Sequence, residues 1–222
     1  MTQAHFERLR AEDGHEFDCW IAPAHGPAKG GIVILQEIFG VTDQLKSVAA
    51  DYAAQGFEVE IPALFDRRAP GSVIPFDAPL MGRDLMLATP VDQAMMDTRA
   101  TIAHLSAQGL RVGVIGFCWG GGLALRAAQV TDAAAAVAFY GTRLGNYLDD
   151  DLRAPVQMHF GTQDDHIPAE IRAQFTARFP AAEVHLYDAG HAFANDARPS
   201  FVPEAAANAH TRARDFLARV LS

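Results

Sequence analysis

The sequence predicts an α/β fold: a mostly parallel central sheet flanked by helices, with an antiparallel hairpin at the amino-terminal end. Three observations carry this expectation. Short unbroken apolar runs recur at 31–35, 58–61, 111–115, 134–140, 156–160 and 184–187, and such runs belong to strands covered on both faces. Helix-like stretches with recognisable starts and stops alternate with them. Half of the 222 residues are hydrophobic and 20% are charged, which is enough apolar material for a core and too little charge for a disordered chain. A chain of this length suits a single domain spanning residues 1–222.

The elements follow in order. Residues 6–21, broken by Asp13-Gly14, read as the hairpin. After the strand at 31–35, Thr42 is placed to cap a helix over 43–55, with Gly56 as its stop. The segment 65–87 contains Arg67, Arg68, Arg83 and several prolines and interrupts the rhythm. It reads as a loop or short helix leaning over the carboxyl edge of the sheet, where ligands bind in open α/β sheets. Thr89 is expected to cap a helix begun by Pro90 and ended by Gly109. Further helices are predicted at 171–179 and 205–220. In the last, Ala206, Ala209, Ala213, Phe216 and Val220 fall at steps of three or four and form one apolar stripe.

Charge and cysteine usage narrow the function classes. With 18 basic and 27 acidic side chains the net charge is −9, which offers no general attraction for nucleic acid or anionic membranes. The first twenty residues lack the apolar stretch of a signal peptide, and no run reaches the ~18 residues of a membrane span. A cytoplasmic protein that is a monomer or weak homo-oligomer is expected. Only Cys19 and Cys118 are present, so neither a disulfide framework nor a cysteine zinc site is predicted, and no metal or other cofactor is expected.

The densest motif is Gly116-Phe117-Cys118-Trp119-Gly120, where a buried strand runs into a helix. A nucleophile on such a sharp turn needs small residues two before and two after it, because the chain passes close to itself. Gly116 and Gly120 occupy those places. The turn presents the sulfur at a helix start, which favours thiolate, and leaves the Trp119 N–H free to hold an oxyanion. The bland alternative is a small core cysteine in a tight turn. Cys19 lacks such surroundings and reads as a strand residue.

An acid and then a histidine should follow, each on a loop after a later strand. The strand at 156–160 leads into Gly161-Thr162-Gln163-Asp164-Asp165-His166, and the strand at 184–187 into Asp188-Ala189-Gly190-His191. Among nine histidines, position selects His191 as the acid/base, while Asp164 and Asp165 both remain open as the orienting carboxylate. Glu37 stands just past the first central strand, where the second oxyanion donor of such folds originates, and the Ile38 N–H is that candidate. The Glu37 carboxylate either faces the thiol and competes for its proton or belongs to a solvated loop.

Taken together, Gln36-Glu37-Ile38-Phe39-Gly40-Val41, Gly116-Phe117-Cys118-Trp119-Gly120-Gly121, Gly161-Thr162-Gln163-Asp164 and Ala189-Gly190-His191-Ala192-Phe193 resemble, in order, the signatures of the dienelactone hydrolase (carboxymethylenebutenolidase) family of α/β-hydrolases. The resemblance spans nearly the whole chain. It implies a cofactor-free hydrolase of small-molecule lactones or carboxylic esters, with Cys118, His191 and Asp164 as triad, a thioester acyl-enzyme, and Glu37 pairing with the resting thiol. It favours Asp164 over Asp165. It also implies an arginine pair for a substrate carboxylate, for which Arg83 matches the first member. The second position holds Asn195 and a tyrosine position holds Leu87, so either Arg198 compensates or the carboxylate clamp is incomplete. The alternatives are the same machinery on another ester or thioester, and a thiol sensor without turnover.

Overall fold

The computed structural model describes residues 3–222. The hairpin forms from β1 (His5–Arg10) and β2 (Glu16–Ala22), paired from His5↔Ile21 to Arg10↔Glu16 around Gly14 at φ +85°. There follow β3 (Gly31–Leu35), α1 (Asp43–Ala54), β4 (Glu58–Pro62), α2 (Pro79–Ala88), α3 (Val91–Ser106), β5 (Val112–Phe117), α4 (Trp119–Val130), β6 (Ala135–Phe139), β7 (Val156–Gly161), α5 (Ala169–Arg178), β8 (Glu183–Tyr187) and α6 (Pro203–Leu221). These strands make one eight-stranded sheet in the order β1-β2-β4-β3-β5-β6-β7-β8. β2 pairs antiparallel with β1 and β4, and every other pairing is parallel.

Every residue of β3, β5, β6 and β7 is buried, as expected of central parallel strands with helices on both faces. The main core joins these strands to α1, α3, α4 and α6, and Cys19 lies in a smaller cluster with Leu9, Phe17 and Ile21 under the hairpin. No helix among the described residues is long and apolar enough to cross a membrane.

Local chemistry sets the helix ends. Thr42 Oγ1 accepts from the Leu45 N–H at 3.1 Å and starts α1, and Gly56 follows its end at φ +92°. Thr89 does not cap α3: its hydroxyl donates to the Leu85 carbonyl at 2.8 Å and closes α2, and Pro90 is the N-cap without a side-chain bond. The following proline keeps Thr89 extended, and the preceding helix takes its hydroxyl. The interrupting segment ends in a ten-residue helix, α2. At Gly82, α2 sits so close to the loop after β3 that a Cβ would lie 1.9 Å from the Ile38 carbonyl oxygen. On α6 the buried stripe includes Leu217 and Leu221, and Val220 is only partly covered.

One buried ion cluster ties the hairpin turn to α3. Arg67 donates from Nε and Nη2 to Asp97 at 2.9 and 2.8 Å and from Nη1 to Asp13 at 2.7 Å, and the Asp97 side chain is fully buried. Asp97 is held by Arg67 alone, whereas Arg67 keeps Asp13 if Asp97 is lost, so removal of the arginine is what strands a buried charge, and Arg67→Ala is expected to lower unfolding free energy by about 3–5 kcal/mol. Urea titration measures this, and a loss below about 1 kcal/mol would contradict it.

Candidate active site

The site is assembled at the carboxyl ends of β3, β5, β6, β7 and β8. β5 ends at Phe117, and Cys118 adopts φ 53°, ψ −114° before α4 begins at Trp119. A non-glycine residue rarely adopts this backbone, and it persists only where its surroundings over-determine it. They do so here: the Cys118 N–H donates to the Phe139 carbonyl at 3.0 Å, and its carbonyl accepts from Gly121 at 3.0 Å and Thr142 at 2.9 Å. The flanking glycines are sterically required. A Cβ on Gly116 would lie 1.8 Å from the Gly120 carbonyl oxygen, and one on Gly120 would lie 2.2 Å from that of Leu35.

The loop after β3 is pinned against this turn. Gln36 accepts the Gly120 N–H on its carbonyl at 3.0 Å and the Leu64 N–H on Oε1 at 3.1 Å. Among the described residues the Ile38 and Trp119 amides take no backbone acceptor. Both are therefore free to donate to a developing oxyanion.

Asp164 and His191 arrive on the loops after β7 and β8. Asp164 is buried, and its Oδ2 accepts from His191 Nδ1 at 2.8 Å while its Oδ1 accepts from the His166 N–H at 2.8 Å. Asp165 points to solvent. With Nδ1 donating to the carboxylate, the tautomer is fixed and Nε2 is left to exchange a proton with a reacting group. Burial alone would lower the His191 pKa, but hydrogen bonding to Asp164 and interaction with Cys118 override it and raise it to about 10. The His166 ring stacks on His191 at 4.3 Å, and burial with the neighbouring imidazole pushes its own pKa down.

Glu37 is buried, not solvated. Its Oε2 accepts from Asn195 Nδ2 at 3.1 Å, and its Oε1 is buried without a hydrogen-bond partner among the described residues. The carboxylate makes its hydrogen bond to Asn195 and none to Cys118 in this structure. Burial lifts its pKa, opposed by His191, Tyr140, Arg198 and Asn195. Asn195, at the position where an arginine was expected, therefore serves Glu37 and reaches no open space.

A cavity of about 600 Å³ opens above these groups. Glu37, Ile38, Cys118 and His191 lie at its base, Arg83, Arg143 and Arg198 supply its cations, and Leu80, Met86 and Leu87 supply an apolar wall. Its size falls within the ~300–1,000 Å³ usual for small-molecule sites.

Sequence reasoning missed two contributors. Tyr140, at φ 39°, is fully buried, packs edge-on to His191 at 5.2 Å and carries a hydroxyl with no hydrogen-bond partner among the described residues. Arg143, at φ 60°, reaches the cavity from the loop after β6. The available signal was position: both follow the carboxyl end of a central strand. Asp164, His166 and His191 are the described residues with ligand atoms close enough, within 4.8 Å, to hold a metal ion. Asp164 and His191 of this group are already joined by the 2.8 Å hydrogen bond.

Comparison with known proteins assigns the family. The family model of the Dienelactone hydrolase family matches residues 17–221. The carboxymethylenebutenolidase of Pseudomonas sp. (strain P51) is 36% identical over 87% of this chain and 87% of its own. That of Pseudomonas putida is 34% identical over 96% of each. A solved structure of a candidate dienelactone hydrolase from Klebsiella pneumoniae subsp. pneumoniae MGH 78578 superposes with a TM-score of 0.86 at 27% identity, covering 97% of this chain and 98% of that one. Matched to the family model over residues 17–221, the chain belongs to the dienelactone hydrolase family and is a hydrolase built on the α/β-hydrolase fold.

Proposed function

We propose that the protein hydrolyses carboxylate-bearing lactones or esters through a thioester on Cys118. The observation that carries this reading is the Asp164–His191 hydrogen bond beside a cysteine held at φ 53° at the start of α4. An imidazole oriented by Asp164 can take the proton of the thiol beside it and return it, as general acid, to the leaving oxygen.

The thiolate Sγ attacks the carbonyl carbon, and the oxyanion so formed lies between the Ile38 and Trp119 amides. Collapse breaks the C–O bond, and the leaving oxygen takes the proton from His191 Nε2. Water then attacks the thioester with His191 as base, releasing the acid and returning the proton to the Cys118–His191 pair. In a lactone the leaving oxygen stays tethered to the acyl chain. Asp164 holds the imidazole in one tautomer throughout. Glu37 lines the same cavity as Cys118 and is held by Asn195. Arg83, on the cavity wall, is the candidate partner for a substrate carboxylate. Cytoplasmic residence and a monomeric or weakly associated state remain part of this reading, with no cofactor, metal, nucleic-acid or membrane partner.

The test is turnover by the purified protein of a panel containing activated esters, small lactones and thioesters, each with and without a carboxylate. The expected result is hydrolysis, with kcat/KM for carboxylate-bearing members about tenfold above neutral ones. Reversible oxidation of Cys118 with no turnover of any panel member would instead establish a thiol sensor.

A further inference from the structure

The cavity over Cys118 is cationic within a chain of net charge −9. Three arginines line it, and Glu37 is the one carboxylate among its lining residues. Arg8, Arg67, Arg99, Arg126, Arg178 and Arg219 each sit in an ion pair with an acidic side chain. Among the described residues ten arginines have none, and three of these, Arg83, Arg143 and Arg198, line this one cavity. Positive charge concentrated in one concave region of an acidic surface focuses its field on an anion that enters.

These arginines gather at two places. Arg83 and Met86 lie one turn apart on α2, so they share a face. Arg143 brings Nη1 to 4.0 Å from Met86 Sδ. Its backbone is fixed in the left-handed region, and the preceding Thr142 N–H is anchored on the Cys118 carbonyl at 2.9 Å. Arg198 comes from the loop after His191, with its guanidinium over the Phe39 ring at 5.0 Å and the Phe76 ring at 5.8 Å. Ring contact of this kind holds a guanidinium in place while leaving its N–H edge able to donate.

We infer that Arg143 with Arg83, and Arg198 separately, form two anion subsites in the cavity, so that the preferred substrate carries two carboxylates, one in its acyl part and one in its leaving part. This rests on ester hydrolysis at Cys118. It makes Arg143, which nothing in the four sequence motifs marks, a specificity-determining residue. It also accounts for Asn195: the second arginine is supplied from other loops, and Asn195 is left to hold Glu37.

Four chromogenic esters test the inference: 4-nitrophenyl acetate, 4-nitrophenyl hemisuccinate, the acetyl ester of 3-hydroxy-4-nitrobenzoate, and its hemisuccinyl ester. At low ionic strength kcat/KM is expected to rise about tenfold for each added carboxylate, and the gain is expected to shrink with salt. Arg143→Asn, chosen because asparagine tolerates a left-handed backbone, should reduce the advantage of one singly charged ester over the acetate about tenfold, and Arg198→Gln that of the other. Arg143→Lys should restore part of the first. Thermal melting of each variant separates loss of recognition from loss of folding. A doubly charged ester no better than the singly charged ones overturns the inference, as do folded variants that leave both ratios unchanged or lower the same one. If the wild type hydrolyses none of the four, ester hydrolysis at Cys118 itself fails and the subsites fall with it; hydrolysis of the acetate without any carboxylate preference removes the subsites and the proposed preference for carboxylate-bearing substrates while leaving ester hydrolysis at Cys118 standing.

Discussion

Cys118→Ala is expected to lower kcat/KM on an activated ester by about 10⁴–10⁶-fold while leaving the melting temperature within a few degrees of the wild type. The sulfur is half-buried, and alanine keeps the Cβ and the backbone bonds to Phe139, Gly121 and Thr142 that hold the turn. What is lost is the nucleophile. The amides of Ile38 and Trp119 and the cavity wall remain, so the variant should still bind substrate and product acids. Steady-state kinetics with calorimetric melting checks both halves. A folded variant with more than a tenth of wild-type activity would place the reacting group elsewhere.

Asp164→Asn is expected to reduce kcat by about 10³–10⁴-fold with a smaller effect on KM. Asp164 Oδ2 accepts the His191 Nδ1 proton at 2.8 Å. An amide there removes the charge that favours imidazolium and permits the wrong tautomer. The sign of the pH effect follows. Burial pulls the His191 pKa down, and Asp164 with Cys118 raises it to about 10, so loss of the carboxylate lowers it. The His191 imidazole titration, followed by its ring-proton NMR shifts, should therefore move to lower pH in the variant. In stability, a raised histidine pKa contributes fully below about pH 6.5 and is lost as pH rises through about 10. The stability difference between wild type and variant should narrow over that window. An unchanged His191 titration would show that Asp164 does not control His191.

Much of this arrangement is legible in the amino-acid sequence because it is locally encoded. Fully apolar runs such as Gly31–Leu35 require cover on both faces. Gly116 and Gly120 announce the turn because any side chain there would strike backbone. The order Cys118, Asp164, His191 follows from where the strands end. The parts that were not legible depend on contacts between distant segments. Thr89 could serve either flanking helix, and the identity of its acceptor, the Leu85 carbonyl, is decided by how α2 packs. Asp164 and Asp165 differ by one position in a turn, and from the residues alone only the family resemblance favoured one. Asn195 acquires its partner Glu37 from 158 residues away. Tyr140 and Arg143 look like an ordinary strand end until the fold brings Met86 and His191 to them.

The most direct test is the mass of the Cys118 peptide when the reaction is quenched in acid during turnover. With a slowly hydrolysed ester in excess, the account predicts that this peptide gains the mass of the acyl group, that the adduct is removed by hydroxylamine as a thioester is, and that it is absent in Cys118→Ala. Full catalytic turnover with no acyl mass on Cys118 at any quench time, or the acyl group on another residue, would contradict it.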